Sequence, residues 1–312
     1  MSEPSGSRAA PGDGPVPLVV RLPDGRRLGL TRYGNPTHPV VVFQHGFGSS
    51  GLELPPTPAL LARLRLQFLA PDRPGVGQSD VYRRLTFPSF ADDVAAMLDS
   101  LKISGPVGVM GWSVGGVHAL ALAACYPARV AAVQLLSTCL PLGEPSCYQH
   151  LSPVWKMLRW VQTGFPWLNR TAFLWLSQQW ARHPNRTIDG FIRLMRPAER
   201  AVSSQSAFRA LLRDAAVAGF AHGGRGVYDD AQAWCRPPGF RIEDVRAPTT
   251  LWHGEADGVW TPGNIAYLAG RIAGAQVRLL PAQGHMLYLE NWEAILTVMS
   301  EAASSKENRL SS

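Results

Sequence analysis

The sequence GWSVG at positions 111–115 places a serine, Ser113, between an apolar run at 107–110 and a helical pattern that starts at position 114. A sharp strand-to-helix turn with this glycine spacing presents a serine hydroxyl as a nucleophile. The glycines prevent a collision between the two arms of the turn, and the dipole of the following helix favours negative charge near the serine. The alternative is a glycine-rich turn with an incidental serine. We predict that Ser113 is the nucleophile.

An acid and a base are predicted further along the chain. Asp257 lies in the sequence HGEAD after an apolar run at 250–252, and His285 lies just before the last helical pattern. A carboxylate that orients an imidazole, which takes the proton of a serine, activates the serine for acyl transfer. Glu255 is a weaker second candidate for the acid. Since Ser113, Asp257 and His285 each follow their own predicted strand, we expect them to form a triad.

Acyl transfer also needs two N–H donors for the oxygen that becomes negatively charged. Val114, directly after the predicted nucleophile, offers one donor. The loop QHGFG at positions 44–48 follows another apolar run and offers the second donor through the backbone of Phe47. His45 in this loop does not fit the expected chain order for the base. We therefore expect His45 to fix the loop by hydrogen bonding.

The elements that must position these residues alternate between short apolar runs and helical patterns. Continuous apolar runs are typical of strands buried on both faces of a parallel sheet, and a Pro-Asp-Gly turn at 23–25 predicts an antiparallel hairpin before them. The pattern predicts an α/β fold with right-handed crossovers. The predicted strands are 16–22, 27–33, 40–43, 68–70, 107–110, 130–136, 250–252 and 277–280, and the predicted helices are 90–101, 114–125 and one from about 289.

The alternation breaks once, where several amphipathic helical segments and no clear strand follow one another. This pattern predicts a helical insertion between two strands of one sheet. The expected organisation is a disordered tail (1–15), a core in two parts (16–140 and 241–303), a helical cap or lid (141–240) and a frayed tail (304–312).

The predicted lid holds six of the ten tryptophans. Aromatic residues at helical spacing usually belong to a core, so most of the six are expected to pack the lid onto the sheet. We expect Trp155, together with Trp112, Phe47 and Met286, to line an apolar substrate pocket. The substrate is then a small molecule with a hydrophobic acyl or aryl group.

Positive charge is the unusual feature of the composition. The 312 residues carry a net charge of +7, from 27 Arg and three Lys against 23 Asp and Glu, without a run of three basic residues. The missing runs argue against a nucleic-acid partner. The lid segment accounts for +6 of the charge. We expect these charges to lie on a solvated helical face. Alternatively, they attract anionic substrates towards the pocket.

The four cysteines show no metal-binding or disulfide spacing, and neither a signal peptide nor an apolar stretch of about 18 residues is evident. We therefore expect a cytoplasmic protein with reduced thiols, with no metal, no cofactor and no membrane partner.

The chain resembles the α/β-hydrolase superfamily, in its capped serine-hydrolase branch, over residues 16–303. The resemblance rests on the HG pair, the GWSVG turn, the stretch DRPGVGQSD at 72–80 and the loop of His285. It implies a mostly parallel eight-stranded sheet flanked by helices, with the insertion as a lid, and it implies that Asp72 and Arg73 brace loops near the site. A serine rather than an aspartate at the nucleophile position argues against epoxide hydrolase and haloalkane dehalogenase chemistry.

The expected function is that of a serine hydrolase, which cleaves a small or medium hydrophobic ester, thioester or lactone through an acyl-enzyme. Carbon–carbon bond hydrolysis and perhydrolysis, the latter as in cofactor-free haloperoxidases, use the same triad and stay open, including in secondary metabolism. The alternative from a different class is a non-catalytic small-molecule binding protein on the same fold.

Overall fold

The computed structural model describes residues 14–310, with the side chains of residues 14–302. The expected disordered tail at 1–15 therefore lies outside the described residues, except for its last two. At the other end, the final helix continues to Leu310, past the expected end of the core at 303.

One sheet of eight strands forms the centre of the fold, with the order β1-β2-β4-β3-β5-β6-β7-β8. The hairpin of β1 and β2 is antiparallel, as predicted, and β2 also pairs antiparallel with β4; the other neighbours are parallel. The sheet is thus mostly parallel, as the resemblance implied. Its strands are β1 (Val16–Arg21), β2 (Arg27–Tyr33), β3 (Val40–Gln44), β4 (Gln67–Pro71), β5 (Val107–Trp112), β6 (Val130–Leu136), β7 (Thr249–Gly254) and β8 (Gln276–Leu280).

Twelve helices are described around this sheet. They are α1 (Pro58–Leu64), α2 (Phe87–Ser100), α3 (Val114–Cys125), α4 (Pro153–Gly164), α5 (Pro166–Arg182), α6 (Pro184–Leu194), α7 (Pro197–Ser203), α8 (Ser206–Gly219), α9 (Ala221–Cys235), α10 (Pro262–Arg271), α11 (Leu287–Glu290) and α12 (Trp292–Leu310). Helices α2, α3 and α10 contribute to one hydrophobic cluster, and α1, α11 and α12 contribute to a second. Within the described residues, no helix has the length and hydropathy that a membrane crossing requires.

The last strand differs from the expectation that every apolar run is buried on both faces. Val277 and Leu279 of β8 are 42% and 45% exposed. The physical reason is that β8 lies at the edge of the sheet, where β7 is its only hydrogen-bonded neighbour among the described strands. An apolar run is therefore not by itself evidence of a central strand.

The helices α4 to α9 lie between β6 and β7, which are adjacent in the sheet, so the chain leaves and re-enters the same sheet at this point. The expectation that most tryptophans of this segment pack inward is wrong for half of them. Trp180 and Trp234 are buried and Trp155 is half-buried, but Trp160, Trp167 and Trp175 are 60% or more exposed. Their helices have one side towards the protein and one side towards solvent, and these three side chains lie on the solvent side.

Candidate active site

Ser113 occupies a strained turn between β5 and α3. Its backbone has φ 55° and ψ −120°, a conformation that non-glycine residues rarely adopt, and its side chain is nearly buried. A Cβ atom on Gly115 would lie 2.0 Å from the carbonyl oxygen of Gln44, and one on Gly111 would lie 2.3 Å from the oxygen of Gly115. The two glycines are therefore required by close backbone approach, as the sequence predicted.

Asp257 and His285 are hydrogen-bonded to each other in the loops that follow β7 and β8. His285 Nδ1 lies 2.9 Å from Asp257 Oδ2, while the backbone N–H groups of Val259 and Trp260 donate to Asp257 Oδ1 at 2.8 and 3.0 Å. Burial pushes the pKa of Asp257 upward, but the adjacent His285 and these hydrogen bonds hold that pKa below its ordinary value. A carboxylate is thus maintained next to the imidazole.

A second histidine faces the same carboxylate. His253 Nδ1 lies 3.8 Å from Asp257 Oδ2, and its Nε2 is 3.0 Å from the carbonyl oxygen of Trp260. Burial lowers the pKa of His253. The ring is therefore neutral near pH 7, with Nε2–H donating to the carbonyl group and Nδ1 left without a proton. Sequence reasoning missed this contact, although His253 opens the motif that contains Asp257.

The loop after β3 is held by buried charges. The guanidinium of Arg73 donates to the carbonyl oxygens of His45 and Gly46 at 2.7 and 2.6 Å, and the Arg73 backbone N–H donates to His45 Nε2 at 3.3 Å. Burial and the nearby Arg73 charge push the pKa of His45 well below its ordinary value, so this imidazole is neutral. These contacts confirm the expected loop-fixing role of His45 and the bracing role of Arg73.

Glu53 adds a carboxyl group that the sequence did not reveal. Its Oε2 accepts a hydrogen bond of 2.7 Å from the backbone N–H of Gly46, and burial raises its pKa to about 7. Gly46 is confined from the other side, because a Cβ atom there would lie 2.3 Å from the Trp112 ring. Asp72 fixes the same region by accepting from the N–H of Gly51 at 2.7 Å.

Trp112, the residue before Ser113, contacts the loop of His285. The Trp112 ring lies 5.2 Å from the His285 ring and 5.3 Å from that of Tyr288, and its Nε1–H donates to the carbonyl oxygen of His285 at 3.0 Å. Met286 is buried and lies directly before helix α11. The turn at Ser113 and the loop of His285 are thus in direct contact through Trp112.

Four aromatic rings connect the loop after β3 with the loop that carries Asp257. Phe47 lies 5.8 Å from Trp234, Trp234 lies 5.3 Å from Trp155, and Trp155 stacks on Trp260 at 4.6 Å with an angle of 9°. Trp155 also donates from Nε1 to the carbonyl oxygen of Val259 at 3.0 Å. Phe47 and Trp155, which were both predicted to line the pocket, therefore belong to one aromatic row between these two loops.

Helix α7 reaches the loop of His285 directly. Glu199 of α7 is buried, and its Oε1 accepts a hydrogen bond of 3.1 Å from the backbone N–H of His285. A Cβ atom on Gly284 would lie 2.7 Å from this oxygen, which shows how closely the helix approaches. No sequence motif marked Glu199, since the contact spans 86 residues of chain.

Across residues 14–302, no group of three His, Cys, Asp or Glu side chains is placed to hold a metal ion. Among these same residues, no hydrogen bond from the N–H of Phe47 or Val114 to a protein acceptor is found.

Known proteins resemble this chain in sequence and in fold. A family model described as the alpha/beta hydrolase fold matches residues 39–291. The chain is similar to the probable oxidoreductase EphD of Mycobacterium tuberculosis, with 31% identity over 163 residues, which are 51% of this chain and 26% of that protein. The chain therefore spans about a quarter of the length of this relative.

Two solved structures share the fold over nearly their whole length. A thermophilic esterase from Thermogutta terrifontis has a TM-score of 0.67 at 20% identity and covers 93% of this chain and 98% of its own. The enol-lactonase from Burkholderia xenovorans LB400 has a TM-score of 0.65 at 21% identity, and the alignment covers 92% of this chain and 100% of that protein. At such identities the likeness establishes the fold, and the family match together with these neighbours supports a hydrolase.

Proposed function

This chain belongs to the α/β-hydrolase fold family, and we propose that it is a serine hydrolase in which Ser113, His285 and Asp257 act as a catalytic triad. The observation that carries the proposal is the 2.9 Å hydrogen bond between Asp257 and His285. The acid, the base and the serine follow β7, β8 and β5, which are parallel, so all three lie at the carboxyl edge of one sheet.

In the first half of the reaction, His285 Nε2 accepts the proton of the Ser113 hydroxyl while Oγ attacks the substrate carbonyl carbon. Asp257 stabilises the imidazolium that forms and keeps Nδ1 as the donor. The backbone N–H groups of Phe47 and Val114 stabilise the oxyanion of the tetrahedral intermediate. Support for this role comes from the absence of protein acceptors for these two donors among the described residues.

Collapse of the intermediate breaks the bond to the leaving group, which takes the proton from His285 and departs, leaving an acyl-enzyme on Ser113. His285 then accepts a proton from water, and the resulting hydroxide attacks the acyl carbon. The second intermediate releases the carboxylic acid and returns the proton to Ser113. Each proton that His285 accepts is thus given up again within the cycle.

The substrate we propose is a small or medium hydrophobic ester, thioester or lactone, with Trp112, Met286 and Trp155 lining its site. The aromatic row from Phe47 to Trp260 supports an apolar acyl or aryl group. The similar structures of an esterase and an enol-lactonase agree with this bond type. An anionic group on the substrate is a finer alternative, for which turnover of anionic substrates alone should fall with ionic strength.

We further propose that residues 141–240 act as a lid over a core formed by residues 16–140 and 241–303. Two inward contacts support a position above the site: Glu199 with the backbone of His285, and Trp155 with the backbone of Val259. Both contacts reach loops that carry a member of the proposed triad.

Labelling with a fluorophosphonate probe tests the nucleophile. The wild-type protein should be labelled and should hydrolyse activated esters, and Ser113→Ala should lose both activities. Ser137→Ala is the matched control, because Ser137 is also buried, has φ 43° and follows the neighbouring strand β6; this variant should remain labelled. Persistent labelling of Ser113→Ala, or no turnover across a broad ester panel, would contradict the proposal.

A further inference from the structure

The outer face of helices α4 and α5 exposes an unusual number of large apolar side chains, and we refer to it as the α4–α5 face. The exposed residues recur at helical spacing on both helices, and the rings of Trp160 and Phe165 join the two at their turn, 5.1 Å apart. The face consists of nine residues that are 40–65% exposed: Val154, Met157, Leu158, Trp160, Phe165, Trp167, Leu168, Leu174 and Trp175. Contiguous apolar surface of this kind marks a site of interaction.

The stretch of sequence that contains α4 and α5 has basic side chains and no acidic ones. Between Glu144 and Asp189 the sequence contains five Lys and Arg residues and no Asp or Glu. Within the described part of the chain, none of the five forms a salt bridge. Arg170 lies one turn from both Trp167 and Leu174 on α5, so its charge belongs to the apolar face. An occupant of this face must supply negative charge as well as apolar contact.

We propose that the α4–α5 face docks the protein onto an anionic lipid surface. Exposed Trp and Phe rings next to Lys and Arg are the side chains that favour the boundary between lipid headgroups and acyl chains. A second copy of the chain is a poor occupant, because a two-fold interface would bring the same unpaired positive charges face to face. The proposal replaces the expectation of no membrane partner, which rested on the lack of a spanning segment.

The inner side of the same helices contacts the loops of the site. Trp155 of α4 stacks on Trp260, whose backbone N–H donates to Asp257. Phe173 of α5 lies 6.0 Å from the ring of Phe47. A lipid surface on the outer face would therefore sit directly above the proposed lid, where a hydrophobic ester could enter from the bilayer; this consequence for turnover, but not the docking itself, rests on the proposed serine hydrolase function.

Co-sedimentation of the full chain with vesicles tests the docking without any substrate. Vesicles of phosphatidylcholine alone are compared with vesicles containing roughly 30% phosphatidylserine, at low and high salt. The protein should sediment with the anionic vesicles only, and less at high salt. Two variants should each weaken this partition by at least about tenfold: Trp160→Gln/Trp167→Gln/Trp175→Gln and Arg170→Glu/Arg182→Glu.

Matched controls change exposed residues elsewhere. Val19→Gln/Leu194→Gln removes apolar side chains that are 46% and 86% exposed, and Arg84→Glu reverses an exposed charge in the loop before α2; both should partition like the wild type. Thermal unfolding of each variant verifies the fold.

The following results would each overturn the docking proposal. They are failure to sediment with anionic vesicles, unchanged partition of the tryptophan and arginine variants, and a dimer in sedimentation velocity that the tryptophan variant abolishes. Binding to soluble poly-glutamate without binding to vesicles would instead assign the face to an acidic protein, which also overturns it. Labelling of Ser113 by the fluorophosphonate probe is a separate readout, so failure of the hydrolase proposal and failure of the docking proposal can be told apart.

Discussion

Replacing Asp257 by asparagine changes one hydrogen bond at nearly constant side-chain shape, and its consequence for the proposed base can be worked out atom by atom. Asp257 Oδ1 accepts the N–H groups of Val259 and Trp260 at 2.8 and 3.0 Å, and Oδ2 faces His285 Nδ1 at 2.9 Å. In Asp257→Asn, the amide oxygen must remain with the two backbone donors, since a buried N–H without an acceptor is costly. The amide NH₂ group therefore faces His285.

Two donors cannot face each other across 2.9 Å, so His285 Nδ1 must become an acceptor and the proton of the ring must move to Nε2. In that tautomer Nε2 can no longer take the proton of Ser113. The same carboxylate-to-amide change in a serine-protease triad lowers kcat by about 10⁴-fold, which corresponds to roughly 5.5 kcal/mol of transition-state stabilisation. We expect a loss of this order here, with the fold retained.

The assay is steady-state hydrolysis of an activated ester, with circular dichroism and thermal unfolding as tests of the fold. Glu255→Gln is the matched control, because Glu255 was the second candidate for the acid and is exposed in the same loop; its activity should stay close to that of the wild type. Retention of activity within about tenfold in Asp257→Asn would refute the tautomer argument. A loss in Glu255→Gln instead would move the acid to that residue.

Three further predictions concern the residues that hold the site. Burial raises the pKa of Glu53 from 4.5 to about 7, so the folded state binds this proton more tightly than the unfolded chain; the free energy of unfolding should fall as the pH rises through this window, and urea titrations should show that Glu53→Gln removes up to about 3 kcal/mol of that fall. Glu199→Ala leaves the buried N–H of His285 without its acceptor and should lower the free energy of unfolding by about 1–3 kcal/mol in the same urea titrations. Glu199→Gln can still accept this hydrogen bond and should avoid most of the loss. Gly115→Ala places a Cβ atom against backbone oxygen and should destabilise by about 1–3 kcal/mol or prevent folding, whereas Gly190→Ala, with open space in α6, should stabilise by up to about 1 kcal/mol in the same denaturant titration.

Local pattern was sufficient to predict the alternating strands and helices. The helix predicted at 114–125 is the observed α3, and the apolar run at 130–136 is the observed β6. These predictions succeeded because a buried strand and the turn after it are encoded by residues that are neighbours in sequence. The family match, which covers residues 39–291, agrees with the resemblance inferred from the same motifs.

The charges that support the site could not be predicted from local pattern. Glu199 reaches His285 across 86 residues, and Glu53 accepts from the backbone N–H of Gly46 through a turn that no motif marks. Each is a buried polar residue whose partner is a backbone group. A backbone N–H or carbonyl group has no sequence identity, so nothing in the chain could announce these contacts in advance.

Whether an apolar side chain of helices α4 to α9 is buried or exposed was likewise decided by tertiary structure. An apolar residue has the same sequence signal whether it is buried, as Trp180 and Trp234 are, or faces outward, as Trp160 and Trp167 do. The sequence by itself determined the α/β fold and the glycine-enforced turn at Ser113, because these depend on short-range sterics and periodicity. The tertiary structure alone decided which side of each helix from α4 to α9 meets the core, and therefore where the basic, apolar face lies, because that depends on the neighbours that long-range packing brings together.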